Sequence, residues 1–343
     1  PGLSLHNFFR NALEPTFTES TDGEGRTSGY GWENGGCNLI ALHAYLSATN
    51  DWDFVRRHLR PVCRIIEYNL DKDEDDDGIL EASFHGNHNT DGPKDSFNWW
   101  DILAFGYKDG YANLVYHQAF RRMRDVIAEL GRADLADRID RHLALARKNF
   151  HSTFYNPATG VYAGWISRDG RLHDYHFTFI TAMAIIEELV PNENEGRAML
   201  KRLIAKLQEN GYGSFRYGVP GMATPVNEAD RIAWPPMADW GNYIHGGFCG
   251  VVAYFFLLAL YRVGMRSWAD HILFRMLETF EREPTHSGLH PGFGIGKSWD
   301  WRTRDGLPSG YNYLADNYVF LLAAIQGHFG VEPPTPTYPA TEP

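Results

Sequence analysis

Apolar residues recur at three- and four-residue spacing along most of this chain, which is the period of an α-helix with one buried face. Strand-like alternation is nearly absent, and only 160–165 is compatible with a short hairpin arm. The pattern therefore predicts an all-α protein. Its expected helices are 37–47, 52–70, 111–130, 135–150, 177–189, 198–210, 247–263, 267–280 and 313–329.

Short turns and long loops alternate between these helices. Residues 131–133 and 264–266 are short enough to close helical hairpins, whereas loops 71–108, 211–246 and 281–309 carry most of the Gly, Trp, Asp and His. Loops of that length are usually functional, and if they emerge at one end of the molecule they form a pocket there.

Two hairpin entrances resemble each other, WENGG at 32–36 and WGNYIHGG at 240–247, and this degenerate repeat fits an (α/α)6 toroid. We expect one toroid domain over 31–330, because no Pro/Ser-rich linker interrupts it. An irregular segment, 1–30, precedes it. The Pro- and Thr-rich stretch 331–343 follows it as a disordered tail.

Aromatic residues make up 14% of the chain, and Trp and Tyr in Gly-rich loops often form stacking platforms for sugars. The formal net charge of −11 argues against a nucleic-acid partner, which requires clustered Lys and Arg. No apolar run reaches the length of a membrane span. A sugar or glycan is therefore the expected partner, whereas the oligomeric state and the cellular location (cytoplasmic, or exported with an upstream signal) stay open.

Hydrolysis of a glycosidic bond requires two carboxyl groups on opposite sides of the sugar. The loop segment DGPKDSFNWWD at 91–101 offers Asp101, beside which Trp99 and Trp100 can stack on a sugar and exclude water. Such desolvation raises a carboxyl pKa and allows it to act as an acid. Alternatively, Asp101 caps the next helix and the Trp pair belongs to the core. Asp95 and Asn98 of the same segment are candidates for binding the sugar.

A second cluster surrounds Asp300, which lies between two tryptophans and two positions before Arg302. The guanidinium would keep Asp300 ionised, as a general base requires. The alternative is a purely structural Asp–Arg pair. Trp299 and Tyr311 are candidates for contacts with the sugar.

Glu33, in the stretch GYGWENGG, is a third candidate carboxyl group, either catalytic or bound to sugar hydroxyls. Further candidates for the lining of the pocket are Trp32, Trp234, Asp239, Trp240 and His245. No HExxH motif or tight His/Cys cluster is present, so a catalytic metal is not expected.

One motif resembles a calcium loop, since Asp73, Asp75 and Asp77 precede Gly78 in the order D-x-D-x-D-G. Position twelve of such a loop is a bidentate Glu, but here it is Phe84, with only Glu81 nearby as a substitute. We therefore expect no cofactor, with calcium at this loop as the alternative.

The chain resembles the six-hairpin glycosidases over about residues 30–328. That group includes bacterial α-L-rhamnosidases, trehalases, processing α-glucosidases and amylo-α-1,6-glucosidase-like proteins. SFNWWD at 96–101 is similar to a segment whose last Asp is the general acid, and FYNPATGVY at 154–162 to a hairpin of that group. The resemblance implies Asp101 as the acid and Asp300 as the base, although relatives often have Glu at the second position. Functional carboxylates beside a Gly-Trp in rhamnosidases keep Glu33 as a candidate.

The resemblance implies an (α/α)6 toroid and an inverting, exo-acting glycosidase. A closed ring needs twelve helices, so we expect a first hairpin upstream of Pro1 or irregular residues in its place. Two other functions stay open. A polysaccharide lyase or sugar epimerase on the same fold would rely on His176, His245 or Tyr311. A non-catalytic glycan-binding protein would need the tryptophans but not the carboxylates.

Overall fold

The computed structural model describes residues 32–86, 98–100, 102–231, 239–282, 299–312 and 319–339, without the side chains of 299, 300 and 310–312. Its helices, in chain order, are α1 (Asn34–Thr49), α2 (Trp52–Arg57), α3 (Leu59–Leu70), α4 (Gly110–Glu129), α5 (Ala133–Phe154), α6 (Thr178–Ile186), α7 (Glu193–Glu209), α8 (Gly250–Arg262), α9 (Arg266–Arg282) and α10 (Phe320–Ala323). A π-helical turn, Ala324–His328, continues α10.

The helices form an inner and an outer row. Along the inner row, α1 packs on α4, α4 on α6, α6 on α8 and α8 on α10. On the outside, α5 packs against α4, α7 against α6 and α9 against α8. Every residue of α6 is buried, as expected for a helix enclosed by others, whereas α7 buries only one face. The described part of the chain is therefore built as alternating inner and outer helices, the arrangement of an α/α toroid.

The inner helices run in the same direction, so their N-termini lie at one end of the ring. Asp109 caps α4 with its carboxyl oxygen Oδ1, which accepts hydrogen bonds from the N–H groups of Tyr111 (2.8 Å) and Ala112 (3.1 Å). Gly131, at φ 81°, lets the chain reverse between α4 and α5, since only glycine adopts that conformation without strain. The loops that enter the inner helices form the front end of the ring.

The single helix predicted over 52–70 is wrong, because the structure divides it into α2 and α3 at His58. The cause is Pro61, whose ring has no N–H and would clash with the carbonyl group of Arg57 four residues earlier. Accordingly, α2 ends at Arg57 and α3 begins at Leu59. The other predicted helices agree with the observed ones to within a few residues, apart from 313–318, which lie outside the described residues.

Short strands connect the helices. Tyr155–Asn156 pairs with Val161–Tyr162, and Trp165–Ile166 lies between Lys108–Asp109 and Leu172–His173 in a three-stranded antiparallel sheet. Trp299–Arg302 pairs with Pro308–Asn312. The strands of two residues are too short to show alternation, so the sequence indicated only the 160–165 arm among them. It also missed the longer pair, which begins inside the predicted loop 281–309.

Residues 331–339, predicted to be part of a disordered tail, instead lie extended on the helical body. The indole N–H of Trp52 donates to the carbonyl group of Thr337 (2.9 Å), and the rings of Trp52 and Tyr338 are 5.5 Å apart. One aromatic contact and one hydrogen bond anchor this stretch, which composition alone does not reveal. Among the described helices, none has the length and apolarity needed to span a bilayer.

An internal ammonium group occupies the centre of the acidic loop. Lys108 Nζ lies 2.7 Å from Asp77, 2.9 Å from Glu81 and 3.1 Å from Asp75. Burial lowers the pKa of Lys108, but its hydrogen bonds to Asp77 and Glu81 outweigh this and raise the pKa above its ordinary value. Lys108 therefore pairs with Asp75 and Glu81, two of the three carboxyl groups (with Asp73) that lie close enough together to hold a metal ion. A calcium ion at this loop would compete with Lys108 for them.

We expect Lys108→Met to lower the free energy of unfolding by about 3 kcal/mol, because it leaves the buried Glu81 without its counter-charge. Chemical denaturation measures this, with Lys148→Met, an exposed lysine, as the unaffected control. Calcium should stabilise only the Lys108→Met variant. A rise in melting temperature of the wild-type protein on adding calcium, reversed by chelation, would contradict this interpretation.

Candidate active site

Four loop segments meet at the front end of the ring. Glu33 immediately precedes α1, and its carboxyl group contacts the backbone of Trp99. Trp100 stacks on Phe179 at the start of α6, and Trp99 lies beside Trp301 of the 299–302 strand. Tyr243, from the loop that enters α8, also packs on Trp301. The prediction that the long loops converge at one end therefore agrees with the described residues.

Glu33 is a buried carboxyl group with one unused oxygen. Its side chain is almost enclosed, at 3% exposure. Oε1 accepts a hydrogen bond from the N–H of Trp99 (2.6 Å), while Oε2 is buried and finds no hydrogen-bond partner among the described residues. Burial raises the pKa of Glu33 to about 8, and the nearby charge of Asp109 also raises it. Glu33 is therefore protonated at neutral pH and carries an O–H group without an acceptor in the described part of the chain.

Asp109 is a second buried carboxyl group, and it holds the Asn98–Trp100 segment in place. Its Oδ2 accepts from Asn98 Nδ2 (2.8 Å), and Asn98 Oδ1 accepts from the N–H of Trp100 (2.8 Å). Burial raises the pKa of Asp109 to about 7, against the opposing effect of its hydrogen bonds. The sequence analysis missed Asp109, although Asp directly before Gly110 at a helix start is a capping signal.

The tryptophans of this end have different roles. Trp100 is buried, stacked on Phe179 with ring centroids 3.8 Å apart, and a Cβ on Gly221 would lie 2.4 Å from its ring. Trp99 is only half buried, 5.2 Å from Trp100 and 5.5 Å from the buried Trp301. In this structure Trp100 therefore belongs to the core, as the alternative interpretation held, whereas Trp99 keeps part of its surface exposed.

Other predicted pocket residues serve to support the loops. The indole N–H of the buried Trp32 donates to Asn69 Oδ1 (3.0 Å), and its carbonyl oxygen accepts from the hydroxyl group of Tyr116 (2.6 Å). His245 is also buried, and its Nε2 accepts from the N–H of Val226 (2.9 Å). These contacts anchor the entrances of α1 and α8.

Two further predicted residues lie on the same entrance to α8. Trp240 is half buried, with its ring 5.8 Å from Tyr212 and 5.2 Å from His245, so it packs within the loop itself. Asp239 is exposed to solvent. Neither residue is in contact with the Glu33–Trp99 pair in the described contacts.

Arg302, the predicted partner of Asp300, is 2% exposed. Its guanidinium lies 5.0 Å from the ring of Tyr217, and Nη1 donates to the carbonyl group of Gly306 (3.1 Å). The backbone of Asp300 is part of the 299–302 strand, directly before Trp301. The ion pair between Asp300 and Arg302 stays a prediction, since the structure describes only the backbone of Asp300.

Several predicted site residues cannot be placed. Asp95, Asp101 and Trp234 lie outside the described residues, and of Trp299 and Tyr311 only the backbone is described. Asp101 is nonetheless flanked by two described residues, the buried Trp100 and the buried Ile102. The residue that Glu33 contacts, Trp99, stands two positions before Asp101 in the sequence.

A buried polar network supports the chain that follows Asp101. Asp230 Oδ2 lies 2.8 Å from His173 Nδ1 and accepts from the hydroxyl group of Tyr175, and Ser167 Oγ lies 2.9 Å from His173 Nε2. The carbonyl group of Asp230 accepts from the N–H of Ala104 (2.9 Å). These groups have the order of a Ser-His-Asp triad, but Ser167 is completely buried, so its hydroxyl group is enclosed by protein. The network therefore positions the loop.

The sequence matches no protein-family model, and no curated protein matches it. Among solved structures, a rhamnosidase from Klebsiella oxytoca with rhamnose bound is similar, at 14% identity and TM-score 0.59 over 95% of this chain and 55% of that one. A GH78 family rhamnosidase of Bacillus sp. GL1 matches at 15% identity and TM-score 0.51, over 85% and 26%. A GH63 mannosylglycerate hydrolase from Thermus thermophilus in complex with glucose matches at 13% identity and TM-score 0.58, over 88% and 76%.

The chain thus spans about half of the length of the first rhamnosidase, about a quarter of the second and about three quarters of the hydrolase. Likeness at such low identity establishes the fold and not the substrate. The predicted fold class is confirmed, since the chain has the (α/α)6 toroid fold that these glycosidases share.

Proposed function

We propose that this protein is a glycoside hydrolase that acts with inversion at the end of a small glycan or glycoside. The observation that carries the proposal is the buried Glu33–Trp99 contact at the front end of a toroid. A carboxyl group with a raised pKa accepts a hydrogen bond there from the backbone of Trp99, whose side chain is only half buried. Protonated carboxyl groups and aromatic faces are the groups that glycosidases use to bind and cleave sugars. The rhamnose and glucose bound to the structural neighbours support a sugar ligand.

In this proposal Asp101 is the general acid and Asp300 the general base. Asp101 directly follows the buried Trp100, and Asp300 directly precedes Trp301, whose ring lies 6.0 Å from that of Trp100. Each residue is therefore the sequence neighbour of one of these two packed tryptophans. Inversion requires a water molecule between base and sugar, with the two carboxyl groups about 6.5–9.5 Å apart. We expect that separation between Asp101 and Asp300.

Glu33 acts in this scheme as a neutral hydrogen-bond donor. Because its Oε1 accepts from the backbone of Trp99, it positions the chain two residues before Asp101. Its protonated Oε2 offers a donor to a sugar oxygen. Trp99 would stack on the sugar ring. Ionisation of Glu33 would replace that donor with a negative charge and weaken binding.

A lyase or epimerase on the same fold is less well supported. Such an enzyme requires a side-chain base, and the ring nitrogen Nε2 of His245 is already used to accept the N–H of Val226. His176 is only half buried, burial lowers its pKa, and its backbone N–H donates to Asp174; no described contact joins it to Glu33 or Trp99. A non-catalytic glycan-binding protein stays the second candidate, because the aromatic face alone suits it.

A panel of aryl glycosides and small oligosaccharides, followed by NMR, tests the activity. We expect hydrolysis of at least one substrate, with the first-formed sugar in the opposite anomeric configuration to the bond cleaved. A retained configuration would contradict inversion and point to carboxyl groups about 5–5.5 Å apart. Unsaturated products would indicate a lyase and epimerised products an epimerase. Binding without turnover would indicate a glycan-binding protein.

We expect Glu33→Gln to retain most of the activity at neutral pH, because Gln accepts from Trp99 and donates like a protonated carboxyl group. Wild-type activity should fall as the pH rises through about 8, and the variant should lose this decline. Asp101→Asn is the matched comparison, and should lose about 100- to 10,000-fold on poor leaving groups and much less on activated aryl glycosides. If Glu33→Gln were inactive and Asp101→Asn active, the general acid would be Glu33 and not Asp101.

The same variant gives a stability readout. Folded Glu33 keeps its proton up to about pH 8, whereas the unfolded chain releases it near 4.5. Its contribution to the free energy of unfolding is therefore largest at low pH and decreases between these values. The decrease should be smaller in Glu33→Gln, which separates an effect on ionisation from a general loss of structure.

A further inference from the structure

A cavity of about 570 Å³ lies at the opposite end of the ring, which we call the back cavity. It is lined by the C-terminal halves of the inner helices α1, α4 and α8, by the end of α6, by the turn after α10 and by residues 332–335 of the extended tail. No residue of the front site contributes to it. Its size falls within the range of small-molecule sites, and its function is independent of the proposed glycosidase activity.

Three arginines and one buried carboxylate dominate the back cavity. The carboxylate of Glu187 contacts Arg121 (3.0 Å), the side-chain amide of Gln118 (2.7 Å) and His117 (3.5 Å). Burial raises the pKa of Glu187, but these partners outweigh burial and hold the pKa below its ordinary value, so Glu187 stays ionised and paired. Arg262 directs Nη2 to the carbonyl group of Ile186 at the end of α6 (3.5 Å). Neither Arg121 nor Arg262 is therefore left without a contact.

Arg122 is different. It is partly buried and lines the back cavity, yet within the described part of the chain its guanidinium has no hydrogen bond and no ion pair. Burial lowers the pKa of Arg122, the negative charge of Glu187 opposes this without a direct contact, and the positive charge of Arg121 adds to the lowering. A guanidinium presents five N–H donors in a planar fork that matches a carboxylate or a phosphate. Leaving such a group partly desolvated costs free energy that a bound anion would recover.

The remaining groups add hydrogen-bonding capacity. His43 is neutral, because burial, Arg122 and Arg121 lower its pKa to about 4. Tyr254 donates to Gln326 Oε1 (3.1 Å), which leaves the amide nitrogen of Gln326 as a donor at the cavity wall. The negative ends of α6 and α8 also face this end, but the carbonyl groups of Ile186 and Val263 are covered by Arg262 and Arg197. Glu332 is the other acidic group of the lining, and it is exposed.

We propose that the back cavity binds a small organic anion through its carboxylate or phosphate group, with Arg122 as the main, bidentate contact. Arg121 and Arg262 contribute positive charge, and Gln326 and His43 contact the uncharged part of the ligand. The cavity has room for a molecule as large as a phosphorylated monosaccharide. The tail segment 332–335 closes one side of the cavity.

Calorimetric titration at constant ionic strength tests this site with three probes: inorganic phosphate, citrate and glucose 6-phosphate. We expect the wild-type chain to bind at least one of them with one site per chain, and Arg122→Gln to weaken that binding at least tenfold. Stronger binding of glucose 6-phosphate than of citrate identifies a phosphate site, and the reverse a carboxylate site. Arg122→Lys, which keeps the charge but loses the fork, should bind with intermediate affinity.

Arg124→Gln is the control, since Arg124 lies on the same helix but is paired with Asp140 and Asp125 on the outside. It should bind the probes like the wild-type chain. Unchanged binding in Arg122→Gln would overturn the proposal, as would equal loss in Arg122→Gln and Arg124→Gln, or no binding of any probe by the wild-type chain. Circular dichroism of each variant distinguishes lost binding from lost structure.

Discussion

The hydrogen bond from the backbone of Trp99 to the carboxyl group of Glu33 joins the loop of the proposed acid to the ring. Asp109 makes the second attachment, through Asn98, one residue earlier. These carboxyl groups stand at the starts of α1 and α4, which pack against each other. Burial raises the pKa of both groups, to about 8 for Glu33 and about 7 for Asp109, and the charge of Asp109 also raises that of Glu33. The front site therefore depends on buried carboxyl groups whose pKa values lie well above the ordinary ones.

The two ends of the ring differ because the inner helices are parallel. At the front, helix N-termini meet carboxyl groups and an aromatic cluster; at the back, helix C-termini meet arginines. The arginines at the back follow the helix dipole, which favours basic groups at C-termini. At the front, Asp109 is held by its hydrogen bonds to the N–H groups of Tyr111 and Ala112. Residues 331–339 lie near the back end, where they complete one wall of the cavity.

The sequence predicted the helices and their pairing well, because the 3.6-residue period is a property of each helix by itself. Prediction from the sequence failed where a single residue, or a contact between distant parts of the chain, determines the local structure. Pro61 divides one helix, and Trp52 anchors a tail whose composition is that of a disordered segment. Trp99 and Trp100 are equivalent in sequence, and only packing against Phe179 makes one of them core. From the sequence Asp109 is an ordinary helix cap, and only the structure shows that it also accepts a hydrogen bond from Asn98.

The protonation of Glu33 is the central claim of this account, and NMR can measure it directly. Protein labelled with ¹³C at its glutamate carboxyl carbons would be titrated, and the one resonance absent from Glu33→Gln would report Glu33. The account predicts that this resonance titrates with a midpoint of about pH 8. A midpoint near the ordinary value of 4.5 would contradict it, because Glu33 would then be a charged group beside Trp99 at neutral pH.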